Sequence, residues 1–160
     1  MTGLVETLLT ACREQGQTIA TAESCTAGML AAALTDPAGA SAVFERGFVT
    51  YSNTAKREML GVSADSLQRF GAVSEQVARE MASGALNRSG TDLSVAITGI
   101  AGPGGSDHKP EGRVCFATAR KGQDVRSETV EFGPLGRAQV RQAATEHALK
   151  LLWQRIATSG

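Results

Sequence analysis

The chain has 160 residues, 42% of them hydrophobic, which suits a single domain, 1–160, with a real core. Sixteen Lys and Arg balance sixteen Asp and Glu, and without surplus positive charge no nucleic-acid groove is expected as the main function. Cys12, Cys25 and Cys115 form no CxxC pair; this argues against a disulfide framework or a zinc knuckle and fits a reducing, cytoplasmic setting.

Leu4, Leu8, Leu9 and Cys12 recur at helical spacing, and Gly16 closes that helix. Residues 1–13 carry Glu6 and no long apolar stretch, so they read as an amphipathic helix and not a signal peptide. No run is long enough to span a bilayer, so no membrane partner is expected. Residues 18–22 are a strand candidate. Ser24 or Thr26 caps the helical pattern that follows, with Met29, Leu30, Ala33 and Leu34 on its apolar face. Residues 43–51 form the next strand, and 53–60 a short helix closed by Gly61. A further helical turn or two is expected over 63–70, then a longer helix from Ser74, its cap, through Leu86.

Residues 93–98 form a strand that runs into the glycine-rich stretch Thr98–Gly112. Two adjacent strands follow at 113–119 and 127–132, joined around Lys121 to Asp124. The last helix, 135–156, presents Val140, Ala144, Ala148, Leu151 and Leu152 on one face, which packs internally or across a homo-oligomer contact. Strands alternate with helices through the first two thirds, and a hairpin-like pair precedes the last helix. The expected fold class is therefore α/β: a three-layer α/β/α sandwich with a mixed, mostly parallel central sheet of about five strands.

Open α/β sheets bind ligands beyond the carboxyl ends of their strands. Three strands here end in polar residues: at Glu23-Ser24-Cys25-Thr26, at Tyr51-Ser52-Asn53, and at Thr98-Gly99 leading to Gly102. If the strands are parallel neighbours, these ends converge on one pocket. Ser24 then reads either as a helix cap or as a nucleophile. Lys56 reads either as a solvated helix lysine or, buried and neutral, as the base for Ser24. Cys25 is a rival nucleophile, because a helix N-terminus lowers a thiol's pKa, or else a small buried core residue. Tyr51, the only tyrosine, is a core-edge residue or a partner of Lys56, Ser24 or a ligand ring. Glu23 is placed to orient Lys56 or bind a ribose hydroxyl. The glycine-rich stretch lacks both the GxxxxGK[ST] and the GxGxxG order, but its N–H groups suit a phosphate or an oxyanion. Arg137 and Arg141, one turn apart, can hold a phosphate. No His, Asp or Glu cluster has metal-ligand spacing, so neither metal nor cofactor is expected.

Taken together, residues 21–26, 44–53, 71–74 and 98–103 and the helix bearing Arg137 and Arg141 resemble the CinA C-terminal domain family, nearly end to end and in order. That family includes the nicotinamide-nucleotide amidohydrolases. Longer members carry an additional N-terminal domain for which this chain has no room, so it resembles the stand-alone deamidase form. The resemblance implies hydrolysis of the carboxamide of nicotinamide mononucleotide to nicotinic acid mononucleotide and ammonia, in pyridine nucleotide recycling. It places a Ser–Lys mechanism on Ser24 and Lys56, assisted by Tyr51. Thr98 and an arginine of the last helix match further active-site positions, with Arg141 favoured over Arg137. One departure is the stretch before that helix, which reads Gly133-Pro134-Leu135-Gly136-Arg137 where Gly-Asp-Arg is expected. The family's competence and damage-induction naming leaves a non-catalytic nucleotide-binding or regulatory module as the alternative.

Overall fold

The computed structural model describes residues 1–106 and 108–157. Helix α1 (Thr2–Gln15) is followed by strand β1 (Ile19–Glu23), helix α2 (Met29–Thr35) and strand β2 (Phe44–Val49). Next come α3 (Asn53–Leu60), α4 (Ala64–Phe70), α5 (Glu75–Ser89) and β3 (Leu93–Gly99). The chain finishes with β4 (Arg113–Arg120), β5 (Arg126–Glu131) and α6 (Arg137–Ala157). The sheet order is β2-β1-β3-β4-β5. β2, β1 and β3 pair in parallel, and β4 and β5 follow in antiparallel register. This is the expected α/β sandwich on a mixed five-stranded sheet.

Side-chain alternation along the central strands divides the core into two layers. Leu93, Val95 and Ile97 of β3 and Val114 and Phe116 of β4 face α1, α2 and α6, burying Leu8, Leu9, Leu30, Leu34, Val140 and Leu152. The opposite positions, Ala96, Cys115, Ala117 and Ala119, face α5 through Val77, Ala78, Met81, Ala82 and Ala85. Small residues on both sides of that second layer let α5 lie close to the sheet, where Ser94 Oγ donates to the Ala82 carbonyl at 2.7 Å. α5 also meets the end of α3 at backbone distance. A Cβ on Gly84 would fall 1.9 Å from the Leu60 carbonyl oxygen, so only glycine permits this approach, which sets α3 against the sheet.

After β1 the chain crosses to β2 on one side and later returns to β3 on the other, so β1 is where the winding reverses. Glu23 pairs with both Val49 and Ile97. The carboxyl ends of three parallel strands thus share one edge, where a ligand crevice belongs.

Two boundaries differ from the sequence reading. β2 stops at Val49, two residues early, although Thr50 N still donates to the Glu23 carbonyl; the next carbonyls turn inward to Lys56, as described below. The helix expected from Ser24 or Thr26 begins only at Met29. Residues 24–28 form a tight turn instead, with Ala27 at φ 44° and Gly28 at φ 99°. Ser24 is therefore not a helix cap. Ser74 does cap α5, accepting from Val77 N at 3.2 Å. Among the described residues no helix is long and apolar enough to cross a membrane.

Candidate active site

Glu23 shapes the turn that carries Ser24. Its side chain is buried, and Oε1 accepts from Thr26 Oγ1 at 2.7 Å and Leu30 N at 2.9 Å, while Oε2 accepts from Ala31 N at 3.1 Å. A carboxylate here meets the free amides and positive end of α2, doing from one turn away what a capping serine would do. Both oxygens are occupied, so the expected roles of Glu23 toward Lys56 or a ribose hydroxyl are not what this arrangement provides. Thr26, fully buried, likewise faces Glu23 and not a ligand. Glu23→Gln places an amide NH2 against donors on one side. It is expected to cost about 1–3 kcal/mol, read as a lower midpoint in urea unfolding.

Lys56 is 1% exposed, although it sits on a short helix whose other polar residues face solvent. Ser52 caps that helix by accepting from Ala55 N at 3.0 Å and aims its first turn at the sheet edge. Lys56 Nζ lies 2.9 Å from Ser24 Oγ, 3.0 Å from the Thr50 carbonyl oxygen and 3.3 Å from that of Tyr51. The ammonium donates to all three. Once it loses a proton, the two carbonyls, which can only accept, take the two remaining N–H groups, and the lone pair faces the one partner that can donate, the Ser24 hydroxyl. Burial disfavours the ammonium and lowers the Lys56 pKa from 10.5 to about 8; the nearby Cys25 opposes this shift.

Ser24 and Lys56 lie in a cavity of about 330 Å³, lined also by Cys25, Tyr51, Thr98 and the Gly99–Ser106 backbone. Two apolar wall residues come from Ala72 and Val73, and Arg137 stands at the rim. Thr98 Oγ1 donates to the Ala72 carbonyl at 2.8 Å, tying one wall to β3. Arg137 donates to the Gly102 carbonyl at 2.7 Å and to the Tyr51 hydroxyl at 3.1 Å. Tyr51 is 60% exposed, so its ring is free to cover a ligand. Of the residues singled out in the sequence, the structure brings together Ser24, Lys56, Tyr51, Thr98, Gly99, Gly102 and Arg137. Glu23, Thr26 and Arg141 stand behind them.

Residues 1–156 match the family model described as the CinA C-terminal domain. The chain belongs to the CinA C-terminal domain family. It is 52% identical to the nicotinamide-nucleotide amidohydrolase PncC of Escherichia coli (strain K12), over 91% of this chain and 88% of that protein. It is 49% identical to a CinA-like protein of Chlorobium phaeobacteroides (strain BS1), over 89% of this chain. The chain spans about a third of the length of such CinA-like relatives, 35% in that case. Among solved structures, the competence/damage inducible protein CihA from Agrobacterium tumefaciens superposes with a TM-score of 0.93 at 48% identity. That alignment covers 96% of this chain and 93% of the other.

Two readings carried into this CinA-family site change with the geometry. Arg141 was favoured over Arg137 for the phosphate, yet its Nε donates to the Cys25 carbonyl at 3.0 Å and its Nη2 to that of Thr26 at 3.5 Å. Those bonds brace the Ser24 turn from behind, and the arginine that reaches the cavity is Arg137. Cys25 was a rival nucleophile on the premise of a helix N-terminus beside it. No helix starts there, and burial pushes its thiol up to about 11. Among the described residues, no group of three or more His, Cys, Asp or Glu is placed to hold a metal ion.

Proposed function

We propose that the chain is an amidohydrolase that converts nicotinamide mononucleotide to nicotinic acid mononucleotide and ammonia through a Ser24–Lys56 dyad. The observation that carries this is the 2.9 Å approach of a buried lysine amine to a serine hydroxyl on a cavity floor. It is supported by 52% identity to a relative named for that activity on a nicotinamide nucleotide.

Lys56, neutral, takes the Ser24 proton as Oγ attacks the carboxamide carbon. Backbone N–H groups of the turn after Ser24, or of the 99–102 segment along the wall, hold the oxyanion. Lys56 returns the proton to the leaving nitrogen, and ammonia departs from an ester on Ser24. Lys56 then deprotonates a water that attacks this ester, and the acid is released. Thr98 and the glycine-rich wall confine the nucleotide, and Tyr51 covers it from the rim. The 5′-phosphate is held by Arg137, which exchanges its present neutral acceptors, Gly102 O and Tyr51 OH, for a charged one. The substrate is a small molecule and not a nucleic acid. Three free, buried thiols suit a reducing cytoplasm, and the product, a pyridine mononucleotide acid, places the reaction in pyridine nucleotide recycling.

Ammonia release from nicotinamide mononucleotide with a chelator present tests the reading; a folded protein that binds the mononucleotide and releases none would instead be a binding module. Arg137→Ala is expected to raise KM for the mononucleotide by about 10-fold to 100-fold, the loss of one or two charge-assisted bonds, with little change in kcat. Nicotinamide riboside, which lacks the phosphate, should show no such dependence on Arg137. An equal effect on both substrates would remove the phosphate from this arginine.

A further inference from the structure

We propose that Lys109 is a positioning residue: it fixes the spacing of the two walls between which the nucleotide enters, without touching the nucleotide. This rests on the amidohydrolase reading above. One wall is the backbone from Gly99 to Ser106, and another is formed by Ala72 and Val73 in the link between α4 and α5. The two are remote in sequence, and nothing in either segment alone sets the gap between them.

Lys109 spans that gap from outside the cavity. Its Nζ donates to the Phe70 carbonyl and to the Val73 carbonyl, each at 2.5 Å. The first acceptor is the exposed end of α4, where a cation meets the negative end of the helix. The second belongs to a wall residue. Gly71, between them, has φ +77° and carries no side chain; a Cβ there would stand 3.0 Å from Nζ and crowd the ammonium.

The other end of the strap is equally constrained. Ser106 N donates to the Lys109 carbonyl at 3.0 Å, and Lys109 N donates to that of Ser106 at 2.8 Å. Gly105 packs against this turn so closely that a Cβ would fall 2.3 Å from the Lys109 carbonyl oxygen. The Lys109 backbone is thus part of the glycine-rich wall, while its side chain grips the opposite one. The Phe70 and Val73 carbonyls are thus held from the connection that follows β3, and the Ala72 carbonyl between them by Thr98 near the end of β3 itself. Removing the ammonium leaves Thr98 as the one side-chain tie among the described residues and lets the walls separate.

Lys109→Met keeps the length of the stem and removes both donors. The expected result is a KM for nicotinamide mononucleotide raised by about 10-fold to 100-fold with kcat within about threefold of wild type, the mark of binding lost equally from ground and transition state. Amide hydrogen exchange should accelerate from Gly99 to Ser106 and at Ala72 and Val73, with α1 and α6 at wild-type protection. An unchanged KM overturns the proposal, and so does a fall in kcat at constant KM, the mark of damage at the dyad. If the wild type releases no ammonia, the amidohydrolase reading fails instead. The exchange measurement then decides alone: wild-type protection of the wall amides in Lys109→Met overturns the strap.

Discussion

Ser24→Ala is expected to abolish ammonia release from nicotinamide mononucleotide, lowering turnover by about 10³-fold to 10⁶-fold, the scale seen when a catalytic nucleophile is deleted. The fold should survive. Ser24 caps no helix, and its amide donates to the Ile97 carbonyl at 3.0 Å whatever side chain it carries. The turn around it is held by Glu23 and Arg141, which the substitution does not touch. A melting curve beside the activity assay separates lost chemistry from lost structure. Undiminished turnover would end the serine mechanism and point to Cys25, despite a thiol pushed up to about 11 that leaves little thiolate at neutral pH.

The second large effect is on pH dependence. Lys56 must be neutral to act as base, and its pKa in the folded protein is lowered to about 8. Below that value kcat/KM should fall about tenfold per pH unit, and above it level off. The same shift acts on stability, with a definite sign. A lysine whose folded pKa lies below its unfolded value binds fewer protons folded than unfolded between about 8 and 10.5. Stability therefore rises with pH across that window. Below about 8 both states are protonated, and the full penalty stands at about 3 kcal/mol by the usual conversion of pKa to free energy.

Lys56→Met removes the titrating group. The mutant should be inactive at every pH, and its unfolding free energy should lack the part of the pH 8 to 10.5 rise that wild type shows. The measurement is urea unfolding of both proteins at pH 7 and pH 10. An equal rise in both would mean that Lys56 titrates normally, and an acid limb of kcat/KM well above or below 8 would assign the base to another group.

Much of the site was legible because its parts are local. Each strand end carried its own polar run, so Ser24, Tyr51, Lys56, Thr98 and Gly99 could be expected together on the condition that the three strands are parallel neighbours, which the sheet order meets. Glycines at 16 and 61 and the serine at 74 marked helix ends through backbone and capping requirements that act within a few residues. Ser24 misled as a cap because a serine before a helical pattern favours one locally. The residue that serves the amides of α2 is Glu23, whose side chain reaches them only because the 24–28 turn folds back.

By itself the sequence determined which chemistry was available: a serine, a lysine, a glycine-rich stretch with free amides and two arginines, on an alternating α/β scaffold. Tertiary structure alone decided how those groups were used. Arg141 lies 116 positions from Cys25, whose carbonyl it holds, and Lys109 lies 36 from Val73. No local preference encodes such pairings, since each depends on where whole helices dock. The ionisation of Lys56 has the same origin. An exposed lysine keeps its ordinary pKa, and only packing of α3 against the sheet edge strips water from this amine, lowers its pKa to about 8 and sets it 2.9 Å from the Ser24 hydroxyl.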